Sequence, residues 1–113
     1  MSNVLIKNIE HKEVFELVNL VEYEAGKVSS LTLAQKSGVG ITVLAFDEGE
    51  GVSTHAAPGD AMVIILDGEA MITIEGEEYR VKAGEVIVMP ANVPHAVNAV
   101  TKFKMLLTVV KNS

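Results

Sequence analysis

Cysteine and tryptophan are both missing from this sequence of 113 residues, and each omission closes off a class of chemistry. Without cysteine there is no disulfide framework, no thiolate nucleophile and no thiolate metal site. Phe15, Tyr23, Phe46, Tyr79 and Phe103 are the only aromatic residues, too few and too scattered for a base-stacking platform. Basic charge is scarce too. Nine lysines and arginines face fifteen acidic residues, a net charge of −6. Such a field repels phosphate backbones and anionic lipid, so nucleic acid and membrane surfaces are not expected partners. The longest apolar run, residues 61–66, falls far short of the ~20 residues that span a bilayer. Met1 to Ile6 shows no basic stretch leading into a long apolar one, so no signal peptide is expected. The expectation is a soluble, cytoplasmic protein.

What is present points to one all-β domain over residues 1–113, large enough to bury roughly two thirds of its unfolded surface. Short runs rich in Val, Ile and Thr alternate with Gly, Pro, Asn and Asp, the pattern of a β-sandwich or barrel. Strands are expected over 28–35, 40–46, 51–55, 61–66, 70–75, 78–82, 86–89, 95–99 and 102–110. Gly76-Glu77 reads as a tight hairpin turn, glycine supplying the positive φ. Residues 1–26 read as a segment packed on the barrel. Within it Val14, Leu17, Val18 and Val21 have helical spacing, although a strand also accommodates them.

Residues 61–66 and 105–110 are apolar on both faces, whereas a strand with one wet face should alternate. Something must cover their outer side, either the segment before residue 26 or a second subunit. The surplus of apolar surface favours a homodimer.

Two stretches carry a resemblance. In the first, Gly49 precedes His55 by five intervening residues, Ala57 and Asp60-Ala61 follow, and Gly68 closes a strand. The second reads Gly84, five residues, Pro90, Ala91, Asn92, Val93, Pro94, His95, with Asn98 beyond. Together they resemble the two motifs of the cupin superfamily, in the short single-domain form with a degenerate first metal motif. The resemblance implies a double-stranded β-helix, or jelly-roll, barrel. Of the four usual metal-binding positions it keeps His55 and His95. Ala57 stands at the second histidine and Ala61 at the glutamate, while Asn92 replaces a glycine and can share its left-handed backbone.

Resemblance places His55 and His95 on neighbouring strands, facing the barrel mouth, with Ala57, Ala61 and Val63 in the same ligand pocket. Two imidazoles begin a metal site but do not complete one: catalytic zinc takes three protein ligands, and non-haem iron two histidines and a carboxylate. The cofactor implied would be a divalent metal, iron, manganese, zinc or nickel, on His55 and His95. Asp60 is the one nearby carboxylate, although an aspartate after Pro58-Gly59 commonly closes a turn. Two functions stay open: a barrel holding a small-molecule ligand, and a metal-dependent isomerase or dioxygenase using the same histidines. An acid–base role without metal is a further use of the pair. Met62, Met71, Met89 and Met105 read as core, and His11 as a surface residue. Asp47-Glu48-Gly49-Glu50 lacks calcium-loop spacing and reads as a solvated turn.

Overall fold

The computed structural model describes residues 4–112. A single 3-10 turn, Leu17–Asn19, precedes nine strands. These are β1 (Val28–Lys36), β2 (Val39–Phe46), β3 (Gly51–His55), β4 (Asp60–Asp67), β5 (Glu69–Ile74), β6 (Glu77–Lys82), β7 (Val86–Met89), β8 (His95–Ala99) and β9 (Phe103–Val110). They form two antiparallel sheets, one of order β1-β2-β9-β4-β7 and one of order β3-β8-β5-β6. Neighbours in each sheet are often distant in sequence, as in a jelly-roll barrel.

Alternation along β4 sets the layers. Ala61, Val63 and Ile65 point inward and are buried, whereas Asp60 and Met62 point outward. The inner faces of the two sheets meet in one core that includes Ile65, Ile72, Val81 and Val97. Its anchor is a cross-strand pair, Phe46 of β2 opposite Phe103 of β9. Their rings stack at 4.5 Å with planes 6° apart, a contact worth about 1 kcal/mol beyond the area it buries. Met89 and Met105 belong to this core. Met71 is half-buried, and Met62 departs from the sequence expectation. It is 38% exposed on the outer face, because its parity along β4 is opposite to that of Val63.

A second cluster lies outside the first sheet. Val21 and its neighbours Leu17, Leu20 and Tyr23 cover Val43, Ala45 and Leu106. The segment before β1 is therefore the cover for the outer face of β2 and β9. It is neither a regular helix nor a strand: beyond Leu17–Asn19 it runs irregularly, and Val14 is fully exposed. It is held by polar ties. Lys7 N–H donates to the Leu33 carbonyl (2.8 Å), Asn8 Nδ2 to the Thr32 carbonyl (2.6 Å) and Lys104 Nζ to the Val18 carbonyl (2.7 Å). The Tyr23 hydroxyl donates to Asp67 at 2.5 Å. The cover stops short of β7, leaving Met62, Val86, Val88 and Val110 exposed on one side of the sheet.

The hairpin between β5 and β6 turns at Glu75-Gly76, one residue earlier than the sequence indicated, since Ile74 pairs with Glu77. Both turn residues have positive φ, 50° and 82°, as a two-residue type I′ turn demands.

Candidate functional site

His95 opens β8 and pairs directly across the sheet with His55, the last residue of β3. Side-chain parity alone would not bring the two rings to the same side. Val52 pairs with Val97 and lines the interior, so simple alternation would send Thr54 inward and His55 out. The register slips between Val52 and His55, where β3 spends three steps against two on β8. This bulge turns His55 back toward the barrel. The ring centroids lie 4.5 Å apart at 68°, edge to face.

Both rings are oriented the same way by the backbone. Nδ1 of His55 lies 3.0 Å from the Ser53 carbonyl, and Nδ1 of His95 lies 3.0 Å from the Val93 carbonyl. A carbonyl oxygen only accepts, so each Nδ1 carries the hydrogen and each Nε2 is left for other partners. His95 is 4% exposed, inside the barrel; His55 is exposed at its mouth.

Beneath the pair is a cavity of about 180 Å³. His55, Ala57, Ala61 and His95 line it, together with Gly59, Val52, Met89 and Val97. The wall is completed by Leu44 from β2 and by Met105, Leu107 and Val109 from β9. Val63 is not part of the wall. It faces inward like Ala61 but sits one inward position deeper, fully buried in the core. Gly59 is buried where a methyl group would collide with Val109, 2.7 Å away, so this stretch of wall is bare backbone. The residues from β2 and β9 lie outside both histidine motifs, and no local signal marks them.

Asp60 belongs elsewhere. It points out of the barrel and accepts a hydrogen bond from the Ala91 N–H at 2.8 Å, bracing the turn that leads to His95. That turn is also tied by Asn92, whose N–H donates to the Ala57 carbonyl at 2.7 Å and whose φ is 63°, in the left-handed region expected for it. His11 is exposed, and its Nε2 donates to the Ile6 carbonyl at 2.8 Å. Asp47 accepts the Gly26 N–H at 2.7 Å. Backbone N–H groups of Gly26 and Glu48 hold its carboxyl below the usual carboxylate range, so the acidic turn is a loop anchor.

Residues 42–111 match the family described as the cupin domain. The chain belongs to the cupins. A conserved protein of unknown function from Streptococcus pyogenes is 50% identical, with a TM-score of 0.95 over 100% of this chain and 97% of that one. A cupin superfamily protein from Desulfitobacterium hafniense is 33% identical, with a TM-score of 0.90 over 95% and 98%. A cupin 2 conserved barrel domain protein from Leptotrichia buccalis is 46% identical, with a TM-score of 0.83 over 86% of this chain and 47% of that one. No curated protein matches the chain.

The metal that many cupins carry does not fit the donors of this one. Two imidazole nitrogens are available, and among the described residues no group of three or more His, Cys, Asp or Glu is positioned to hold an ion. Asp60 faces away, and the nearest family ligand positions are Ala57 and Ala61, which offer methyl groups. The thioethers of Met89 and Met105 reach the same cavity. They are soft donors, poorly matched to iron, manganese or zinc in this setting.

Proposed function

We propose that this cupin is a binding module whose cavity under His55 and His95 takes up a small, largely apolar organic molecule and releases it unchanged. The composition of the wall carries this reading: apart from the two imidazoles, its side chains come from Leu, Val, Ala and Met, with no carboxylate, thiol or hydroxyl. Such a lining rewards burial of an apolar body and provides two polar points for orientation. The volume matches, since a cavity of about 150 Å³ accepts benzene.

The alternative, a metal-dependent isomerase or dioxygenase on the same histidines, draws on the Nδ1–carbonyl bonds, which also orient metal-bound imidazoles. Metal analysis of protein purified without an affinity tag separates the two. The binding reading expects substoichiometric metal and a His95→Ala variant that still folds, its loss of stability limited to that of the buried ring and its bond to the Val93 carbonyl. Stoichiometric iron, manganese, zinc or nickel that disappears in His55→Ala and His95→Ala, with added metal raising the parent's melting midpoint alone, would establish the enzyme instead.

We also read the protein as a cytoplasmic homodimer. Support for the dimer is the uncovered strip of Met62, Val86, Val88 and Val110 beside the edge strand β7. Among the described residues no helix is long and apolar enough to cross a membrane.

A further inference from the structure

We propose that the cavity selects ligands that donate a hydrogen bond, a small phenol or alcohol in preference to a carboxylate or an ether, and that the acceptor is Nε2 of His95. The inference rests on the cavity being a ligand pocket and adds the chemistry of what enters it.

A neutral imidazole has one N–H, and in both rings the backbone has claimed it. Nδ1 of His95 donates to the Val93 carbonyl, and Nδ1 of His55 to the Ser53 carbonyl, each at 3.0 Å. Each Nε2 is then a bare lone pair. The two lone pairs are not equivalent. His55 is exposed at the mouth, where water satisfies it. His95 is buried, and its Nε2 has no hydrogen-bond partner in the protein among the described residues. No side-chain nitrogen or oxygen among those residues is both sealed from solvent and unpartnered, so this nitrogen opens onto the cavity that the ring lines.

The remaining side chains of the wall are hydrocarbon or thioether and donate nothing. A carboxylate entering here would leave its hydration behind, face a lone pair and find no side-chain donor. An ether would gain apolar contact alone. A hydroxyl completes the one unanswered polar atom while its apolar body fills the space. Phenol has the right dimensions, being close to benzene in size.

The probes are phenol, anisole and benzoate, titrated into the full-length protein at neutral pH, with backbone amide shifts at Ala57, Ala61 and Val97 as the readout. Phenol is expected to bind about fivefold more tightly than anisole, the usual yield of one net hydrogen bond, and benzoate more weakly than either. In His95→Phe, which retains a ring and removes the acceptor, the preference for phenol should vanish. A long-range proton–nitrogen spectrum of the unliganded parent gives an independent check that requires no variant: His95 should show a protonated Nδ1 and an unprotonated Nε2. Equal affinity for phenol and anisole, tightest binding of benzoate, or a proton on Nε2 of His95 overturns the donor rule and leaves the pocket standing. Absence of saturable binding for all three probes overturns the pocket and the rule together.

Discussion

At Asn92 a single backbone angle bears on the whole mouth of the barrel. Its φ of 63° is one that most side chains avoid, and its N–H reaches the Ala57 carbonyl at 2.7 Å, joining the two loops that flank the histidines. Asn92→Ala should lose about 1 kcal/mol in chemical denaturation, the cost of forcing a Cβ-bearing residue without a helpful amide into this region, while Asn92→Gly should be nearly neutral. Equal stability of the alanine and glycine variants would show that the conformation is not what this position selects. Asparagine in a glycine's place was readable from sequence. The inward turn of His55 was implied by the family resemblance alone, because it depends on a bulge, and nothing in Val52-Ser53-Thr54-His55 announces an extra residue against the partner strand. Val63 shows the complementary limit. Alternation fixes which face a residue takes but not how deep it lies, so a correct face still put Val63 in the core and outside the wall.

Among the elements, the strands were the most legible, since most are short runs carrying β-branched residues between glycine, proline or charged turns. The segment before β1 was the least legible. The helical spacing of Val14, Leu17, Val18 and Val21 has no regular helix behind it. What holds the segment is distant: Lys104 on β9, Asp67 at the end of β4 and the carbonyls of β1. Tyr23 is the centre of this latch, with the ammonium groups of Lys102 and Lys104 4.8 and 4.9 Å from its ring centre. Partial burial, and then the hydrogen bond and negative charge of Asp67, push its phenol well above the usual range. A folded-state pKa raised above the unfolded value of about 10 means that this stabilisation is whole below about pH 10 and drains as pH rises further. Tyr23→Phe keeps the ring over the lysines and removes the hydroxyl. It should cost about 1 kcal/mol at neutral pH and decline less steeply than the parent above about pH 10. Superimposable stability curves for parent and variant from about pH 7 to about pH 12 would remove the Tyr23 hydroxyl from the latch.

For the whole molecule, the two-faced apolar strands called for a cover, and the structure divides that task. The segment before β1 shields β2 and β9, and the strip beside β7 stays open. If a second copy closes the strip, Met62→Glu places a charge at its centre and should convert a dimer to monomer by light scattering without lowering the melting midpoint by more than the lost contact. A parent already monomeric at micromolar concentration would end the proposal. The jelly-roll architecture was legible because glycine, proline and histidine spacings agreed with the strand pattern. A third of the cavity wall was not, since Leu44, Met105, Leu107 and Val109 join the histidines only through the pairing of the sheets.

That pairing also fixes an order of events. β9 lies in the middle of its sheet, hydrogen-bonded to β2 on one side and to β4 on the other. Until residues 103–110 join them, β2 pairs only with β1 and β4 only with β7, and Phe46 has no stacking partner. The two halves of this sheet, β1-β2 and β4-β7, therefore wait on β9, and closure comes as one step across contacts of long sequence separation, the kind that form slowly.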